Sequence, residues 1–206
     1  MKIAIFYHCV VGGGPRDIDP DYSLGVVYEQ MLSMNSSGLL DAATEFHVGI
    51  NGVERDSLPL KIVCGAKAKV TCHGSNSLTE IPTLELLYNW LPGHEDWHVF
   101  YHHSKGVSTP GSHAENWRRR MQGHLVTNWR KCIHELEHGK ELCGCHWLYD
   151  GRWFFGGNFF WAKAEYLLRL PPLPPNTWEN RYEGERWIGG GQPESIGVAD
   201  FLPGWP

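Results

Sequence analysis

Short apolar runs alternate along the chain with stretches in which apolar residues recur every three or four positions. The runs predict buried strands, and the spaced stretches predict amphipathic helices. The predicted strands cover residues 2–7, 46–50, 60–64, 68–72, 97–102, 143–148 and 154–161. The predicted helices cover residues 23–34, 81–91, 115–138 and 163–169. Strands that alternate with helices indicate an open, twisted α/β sheet flanked by helices.

Glycine and proline mark where these predicted elements end. Residues 12–15 (GGGP) follow the first strand, the pair Asn51-Gly52 follows the second, and Pro92-Gly93 ends a helix. The chain is rich in glycine and proline from about residue 189, and we expect this tail to wrap the surface. No repeat, low-complexity segment or linker interrupts residues 1–206, so the pattern predicts a single domain.

Composition and charge narrow the functional classes. The chain has 206 residues and a formal net charge of −5, which argues against a protein that coats nucleic acid through bulk positive charge. Its 10 tryptophans suit stacking on sugar rings or bases, although they would also fill a core. No apolar stretch reaches the roughly 18 residues that a membrane span needs.

The start of the chain and its cysteines bear on the compartment. Met1 and Lys2 lead directly into an apolar run with no cleavage pattern, which does not resemble a secretory signal. The six cysteines are scattered along the chain and are not spaced as a disulfide framework. We therefore expect reduced thiols in a cytoplasmic protein.

Ligands of open α/β sheets bind outside the carboxyl ends of the strands. That rule selects the loops that follow Tyr7, Asn51, Cys72, Tyr101 and Leu148. Three segments carry residue types that suit chemistry at such an edge.

The first segment is residues 100–106 (FYHHSKG), which end a predicted strand in a loop that contains glycine. His102, His103, Ser104 and Lys105 bring two imidazoles, a hydroxyl and an ammonium together there. A lysine beside such donors suits a diphosphate, whose charge must be neutralised as it leaves. A solvated strand end, or a partial metal site with imidazole ligands, would give the same pattern.

The second segment is residues 155–163 (FGGNFFWAK). Its two glycines allow the backbone to approach a ligand closely. Asn158 offers both a donor and an acceptor, and Trp161 offers a flat face for stacking. A core strand with a glycine bulge is the alternative interpretation.

The third segment is residues 181–189 (RYEGERWIG), in which two carboxylates lie beside two guanidiniums. A carboxylate of this kind can be the general base that deprotonates a hydroxyl acceptor. A surface cluster of ion pairs would produce the same sequence pattern.

Taken together and in order, these segments resemble a family of bacterial and phage GT-A glycosyltransferase-like proteins. That family carries Tyr-x-His-Ser/Thr-Lys-Gly, Trp-Arg-Arg, Gly-Asn-x-x-Trp-Ala and Arg-Tyr-x-x-Glu-x-Trp-Ile. The matching segments here are residues 101–106, 117–119, 157–162 and 181–188, and residues 80–84 (EIPTL) resemble the helix start before the first motif. The resemblance covers roughly residues 80–190, and no single motif is diagnostic.

The resemblance implies a single-domain GT-A-like fold and a nucleotide-sugar donor, with a UDP-sugar as the first choice. The implied donor-binding residues are Tyr7, His8, Asn51, Glu80, Thr83, His102, His103 and Lys105. Glu185 would be the catalytic base, with Glu183 as second choice, and direct displacement would invert the anomeric centre. The implied sugar- and acceptor-binding residues are Gly157, Asn158, Trp161, Trp117, Arg118 and Arg119.

Metal dependence is a point where the sequence departs from that family. GT-A enzymes commonly end the central strand in Asp-x-Asp, which holds Mn²⁺ or Mg²⁺ on the diphosphate. Here the strand ends in His-His-Ser-Lys, so either Lys105 and the histidines replace the metal or a divalent cation is held differently, with His102 and His103 as candidate ligands. Residues 17–21 (DIDPD) could also hold a metal ion, but they follow the first strand and not the central one. Cys143 and Cys145 could bind zinc, but they are spaced more closely than zinc ligands usually are.

The acceptor and the class of function stay open at this stage. A surface glycan is one acceptor, and a hydroxymethylated base in phage DNA is another, since Arg118, Arg119 and Arg120 could contact phosphates while the base is flipped out. A non-catalytic nucleotide- or carbohydrate-binding module would keep the fold without the chemistry. The 12 histidines also suggest a metal-dependent nuclease, although no acidic cluster accompanies the paired histidines.

Overall fold

The computed structural model describes residues 1–11, 18–51, 57–74, 79–107 and 110–198, and within them seven strands form one sheet. The strands of the protein are β1 (Ile3–Val10), β2 (Glu45–Asn51), β3 (Ala68–Cys72), β4 (His98–His103), β5 (Leu142–Gly144), β6 (Trp147–Tyr149), β7 (Trp153–Phe155), β8 (Phe160–Lys163) and β9 (Ile196–Val198). The sheet has the order β3-β2-β1-β4-β8-β5-β9, and β6 and β7 form a separate antiparallel hairpin. In the sheet, β8 alone of these strands runs antiparallel to its neighbours.

Helices cover both faces of this sheet. They are α1 (Pro20–Ser36), α2 (Leu39–Ala42), α3 (Ser57–Cys64), α4 (Ile81–Trp90), α5 (Ser112–Gln122), α6 (Trp129–Glu137), α7 (Ala164–Leu167) and α8 (Arg181–Trp187). A π-helical turn, Gly123–Thr127, lies between α5 and α6. Side chains of α1, α3, α5 and α6 pack on one face, and those of α4, α7 and α8 pack on the other. The predicted α/β sheet flanked by helices is confirmed.

Alternation along β1 decides which residues meet which layer. Successive side chains of a strand point to opposite faces. Ile5 and Tyr7 pack with the α1 layer, and Phe6 packs with the α4 layer. His8 lies on the same face as Phe6, where it contacts Thr83 of α4. Neighbours in the sequence are therefore separated by the thickness of the sheet.

The order of the strands creates a topological switch point between β1 and β4. From β1 the chain builds outward through β2 to β3, and it then returns to place β4 on the opposite side of β1. The connections leave β1 and β4 in opposite directions, which opens a crevice at their carboxyl ends. A ligand site is expected at this crevice.

One predicted strand is wrong, because residues 60–64 belong to helix α3. As a strand, this run would bury Leu60, Ile62 and Cys64 together. The helix buries Leu60 and Cys64 four positions apart and leaves Ile62 74% exposed. A short apolar run does not by itself distinguish a helix from a strand.

Other predicted elements are interrupted or extended in the structure. Residues 143–148 and 154–161 each divide between two strands, and the long helix predicted over 115–138 is broken by the π-helical turn. The glycine- and proline-rich tail also forms β9, which pairs with β5 at the edge of the sheet and does not merely wrap the surface. Residues 12–15, predicted as a loop, lie outside the described residues.

In the part of the chain that the structure describes, no helix combines the length and apolar character needed to cross a bilayer.

Gly49 in β2 should be intolerant of a side chain. A Cβ there would overlap the Thr83 hydroxyl and His73 Nε2. We expect Gly49→Ala to lower the free energy of unfolding by about 1–3 kcal/mol through overpacking. Gly25→Ala is the matched control, because a Cβ at this helical glycine meets nothing within 4 Å and should stabilise α1 by up to about 1 kcal/mol. Urea unfolding measures both, and a Gly49→Ala protein as stable as the original would contradict this packing.

Candidate functional site

Polar side chains from five parts of the fold converge at the crevice between β1 and β4. They come from the ends of these two strands, the start of α4, the turn between β7 and β8, and α8. The principal residues are His8, Glu80, His103, Lys105, Asn158 and Glu185. We call this region the cleft.

His103 is the last residue of β4 and lies at the edge of the cleft. Its Nε2 atom is 2.9 Å from the carbonyl oxygen of Gly157, so this nitrogen carries the proton and donates it. Burial, together with the nearby Lys105 ammonium, lowers the pKa of His103 to about 4. The imidazole is therefore neutral near pH 7 and supplies no positive charge to a diphosphate.

Lys105 is the cation of the cleft, and its backbone is held firmly in place. The guanidinium of Arg118 donates a hydrogen bond of 2.9 Å to the Lys105 carbonyl oxygen, and Gly106 follows with a left-handed φ of 90°. The Lys105 ammonium lies 4.3 Å from the centroid of the Trp117 ring. A Cβ on Gly157 would lie 3.2 Å from the Lys105 side chain, and the next residue, Asn158, donates a hydrogen bond to Glu80, so the lysine lies beside the Glu80–Asn158 pair.

Glu185 lies on α8 directly after Gly184, whose carbonyl oxygen is 3.5 Å from the Asn158 amide nitrogen. Burial raises the pKa of its carboxyl group, and the nearby Glu80 raises it further, while Lys105 and His103 act in the opposite direction. A raised pKa makes a carboxylate a stronger base than an ordinary surface glutamate. The pairing of Lys105 with Glu185 in one cleft stays a prediction.

Glu183, the second choice for the base, is engaged elsewhere. One carboxylate oxygen lies 2.5 Å from Arg152, and the other lies 3.1 Å from Arg186. These two guanidiniums hold the side chain toward the β6–β7 hairpin. Glu183 is therefore a poor candidate for the base, and its ion pairs correspond to the structural alternative considered from the sequence.

A buried hydrogen-bonded unit supports the floor of the cleft. Asn158 is fully buried with a left-handed φ of 50°, and its amide nitrogen donates a bond of 2.9 Å to Glu80. The other oxygen of Glu80 accepts a bond of 2.7 Å from the Tyr101 hydroxyl. Within the described residues, the Asn158 Oδ1 atom has no hydrogen-bond partner. Strained, buried polar residues of this kind tend to occur at functional sites.

A second polar group lies at the ends of β1 and β2. His8 Nδ1 is 2.8 Å from the Thr83 hydroxyl, and His73 Nε2 is 3.0 Å from the same oxygen. The Asn51 amide donates a bond of 2.8 Å to the carbonyl oxygen of Thr79. The predicted donor-binding residues His8, Asn51 and Thr83 thus lie together, whereas His73 was missed although it follows β3 at the selected edge.

Three predicted ligand contacts are wrong because the side chains point into the core. Tyr7, His102 and Trp161 are all fully buried on the α1 side of the sheet. The Tyr7 hydroxyl donates to Gln30 over 2.6 Å, and the His102 ring stacks on Tyr7 at 4.3 Å. The indole of Trp161 donates to the Leu125 carbonyl oxygen over 2.9 Å, so it offers no face to a sugar.

The arginine run predicted to meet phosphates serves a different purpose. Arg118 is 1% exposed and is committed to the Lys105 backbone, so it is unavailable to DNA. Arg119 forms ion pairs with Glu115 at 2.6 Å and with Glu29 at 3.5 Å. Trp117 does border the cleft, because a Cβ on Gly156 would lie 3.3 Å from its ring.

The described residues do not fit the divalent cation that the fold family commonly holds. His102 is in the core, His103 directs its Nε2 proton to a carbonyl oxygen, and both Glu80 oxygens already accept hydrogen bonds. Asp19 caps α1, and Asp17 lies outside the described residues. Within the described ranges, no group of three or more His, Cys, Asp and Glu side chains could hold a metal ion.

Comparison with solved structures finds proteins of similar fold and low sequence identity. The chain is similar to CMP:2-keto-3-deoxy-manno-octonic acid synthetase complexed with CTP, at a TM-score of 0.50 and 13% identity, covering 96% of this chain and 89% of that one. It is also similar to a nucleotide-diphospho-sugar transferase-like protein from Desulfovibrio desulfuricans G20, at a TM-score of 0.48 and 12% identity, covering 96% of this chain and 80% of that one. At these identities the likeness concerns the fold alone.

Sequence comparison gives a different kind of relationship. No curated protein matches the chain. A family model described as "Domain of unknown function (DUF8361)" matches residues 6–194, which is most of the sequence. The chain therefore belongs to the family Domain of unknown function (DUF8361).

Proposed function

We propose that this protein transfers a sugar from a nucleotide-diphosphate donor, with a UDP-sugar as the first choice, to a hydroxyl acceptor. One observation carries the proposal: at the switch point of an α/β sheet, the Lys105 side chain packs beside Gly157, and the next residue, Asn158, contacts the carbonyl oxygen of Gly184, which precedes Glu185. A synthetase that binds CTP has a similar fold, which supports a nucleotide as the ligand. The pairing of a fixed cation with a base of raised pKa supports transfer chemistry.

Lys105 neutralises the leaving group in this proposal. Its ammonium is held over the Trp117 ring and faces the cleft, where a diphosphate gains negative charge as the glycosidic bond breaks. The electron pair of that bond leaves with the phosphate oxygen, and the nucleoside diphosphate departs as an anion. The neutral His103 contributes shape and hydrogen bonding and does not contribute charge.

Glu185 supplies the base. Its ionised carboxylate accepts the proton of the acceptor hydroxyl while the acceptor oxygen forms a bond to the anomeric carbon. This in-line displacement inverts the anomeric centre. The Glu80–Asn158 unit holds the cleft floor against α8, and the group formed by His8, Asn51 and Thr83 faces the nucleoside end of the donor.

Because the Lys105 ammonium neutralises the diphosphate in place of a divalent metal ion, we expect donor binding to survive removal of divalent cations. A thermal-shift panel of nucleotide-sugars, measured in EDTA and again with Mn²⁺, tests both donor and metal. Binding to the native state stabilises the fold and so raises the melting temperature. At a ligand concentration a hundredfold above Kd, the free energy of unfolding rises by about 2.7 kcal/mol. A shift by one nucleotide-sugar that persists in EDTA is expected.

The panel can also contradict the proposal. No shift from any nucleotide-sugar would contradict donor binding, and a shift that requires Mn²⁺ would contradict the role of Lys105.

A non-catalytic binding module is the second candidate, favoured by the absence of a carboxylate at the end of β4. It would bind the donor without hydrolysing it, whereas a transferase is expected to hydrolyse it slowly when no acceptor is present.

A further inference from the structure

The β6–β7 hairpin carries a row of aromatic rings that the cleft does not use. Trp147 and Trp153 are stacked, with centroids 5.8 Å apart and planes at 3°, and Tyr149 lies 5.0 Å from Trp153. Tyr149 is 63% exposed and Trp153 is 48% exposed. Alternation places these rings on one face of the hairpin, and Leu148 on the other. We call Trp147, Tyr149 and Trp153 the aromatic row.

Ion pairs fix the hairpin to α8. Arg186 of α8 lies 2.5 Å from Asp150 in the hairpin turn, and Arg152 lies 2.5 Å from Glu183 of α8. The hairpin that carries the aromatic row is therefore attached to α8, the helix that also carries Glu185. A rigid set of rings loses little entropy when a ligand stacks on it.

The hairpin is also continuous with the cleft. A Cβ on Gly156 would lie 3.0 Å from Leu148 and 3.3 Å from Trp117, and a Cβ on Gly157 would lie 3.2 Å from the Lys105 side chain. The face of the hairpin that carries Leu148 thus borders the cleft, and the aromatic row lies on the opposite face of the hairpin. A long ligand whose end reaches Glu185 could extend over the hairpin to these rings.

The charge around the aromatic row favours a neutral ligand. Its rim holds two carboxylates, Asp150 and Glu183, and two guanidiniums, Arg152 and Arg186, which pair with one another. The rim therefore carries no net charge and offers hydrogen-bonding groups of both kinds. A polyanion such as DNA is attracted by unpaired basic side chains, whereas a polyhydroxyl chain needs flat apolar faces edged by donors and acceptors.

From these observations we propose that the aromatic row is a carbohydrate subsite, which holds a neutral oligosaccharide acceptor several units from the sugar that reacts. Stacked C–H faces of sugar rings would cover Trp153 and Tyr149, and sugar hydroxyls would meet the paired charges. This inference rests on the proposed function and names its acceptor as a glycan, not a DNA base.

Calorimetric titration with neutral hexasaccharides tests the subsite: cellohexaose, maltohexaose and the hexamer of N-acetylglucosamine, with a short DNA duplex as the competing probe. We expect one of the sugars to bind, and Trp153→Ala or Tyr149→Ala to weaken that binding by about tenfold or more. Tyr28→Ala is the matched control, since Tyr28 is 61% exposed on α1, away from the hairpin, and its loss should not change binding. Circular dichroism spectra establish that each variant is folded.

The subsite is overturned if none of the three hexasaccharides binds, if binding survives both substitutions, or if the substitutions weaken duplex binding. A change in oligomeric state of Trp153→Ala on size exclusion would also overturn it, because the row would then be covered by a second copy. The nucleotide-sugar thermal shift is measured on the same variants and should be retained. Its absence from the original protein would overturn the proposed function independently of oligosaccharide binding.

Discussion

Replacing Glu185 by glutamine is expected to lower the rate constant of sugar transfer by about a hundredfold to ten-thousandfold, the usual contribution of a general base. Glutamine keeps the size of the side chain but cannot accept the proton of the acceptor hydroxyl. Donor binding should change little, since Lys105 and the residues at the ends of β1 and β2 are untouched. The measurement is kcat for transfer at saturating donor and acceptor, alongside the thermal shift for the donor.

Glu183→Gln is the matched control, because it removes a carboxylate two positions away that is held by Arg152 and Arg186. It should reduce kcat far less than Glu185→Gln does. Equal losses in the two variants, or full activity in Glu185→Gln, would show that the base has been assigned to the wrong residue.

The pH profile of transfer by the original protein gives an independent check on Glu185. Because its pKa is raised, transfer should fall as the pH drops through a value above the ordinary glutamate pKa, where the carboxylate becomes protonated. Glu80 contributes to that rise, so Glu80→Gln should move the acidic limb to lower pH. If the acidic limb of the pH profile does not move in Glu80→Gln, the coupling between the Glu80 and Glu185 carboxyls is contradicted.

Lys105→Met should lower kcat for transfer by about a hundredfold to a thousandfold, as expected when one group that stabilises developing negative charge is removed. Methionine retains an unbranched apolar stem against Trp117 while the ammonium is lost. The control is Lys131→Met, which removes an exposed lysine from α6. Steady-state kinetics with the identified donor measure both, and retention of activity in Lys105→Met would remove the cation from the mechanism.

The sequence was sufficient to select the edge of the sheet at which the candidate site lies. The apolar runs of β1, β2 and β4 were visible, and the rule that ligands lie at strand ends selected the neighbourhood of His8, Asn51 and His103. The resemblance added Lys105 and Glu185, which lie in different elements and have no periodic relation that would connect them. The position of Glu185 relative to the cleft depends on how α8 packs on α4.

Which of two adjacent polar residues faces the cleft could not be inferred from the pattern. His102 and His103 are neighbours at the end of a central strand that is buried on both faces, so polarity does not distinguish the two sides. Arg118 was misjudged for a related reason. An arginine in a helix normally lies in solvent, and the partners of the buried Arg118, the Lys105 carbonyl oxygen and the Glu29 carboxylate, come from other parts of the fold.

Two local conformations also escaped prediction. The turn through Gly157 and Asn158 needs left-handed φ angles of 86° and 50°. Of these two residues, only the glycine is of a type that predicts a positive φ from the sequence. The charged, glycine-containing segment that became α8 has few apolar positions, so its helical period was hidden. Its helix is stabilised by tertiary contacts, including Trp187, whose indole donates a bond of 2.8 Å to the Pro171 carbonyl oxygen.

The central claim is that a lysine at the end of β4 binds the diphosphate of the donor without a metal ion. Calorimetric affinities of UDP and of uridine, measured in EDTA for the original protein and for Lys105→Met, test it most directly, because the ratio of the two affinities isolates the diphosphate. The account predicts that UDP binds more tightly than uridine in the original protein and that Lys105→Met removes most of this preference, by about tenfold or more. An unchanged ratio in Lys105→Met would contradict it.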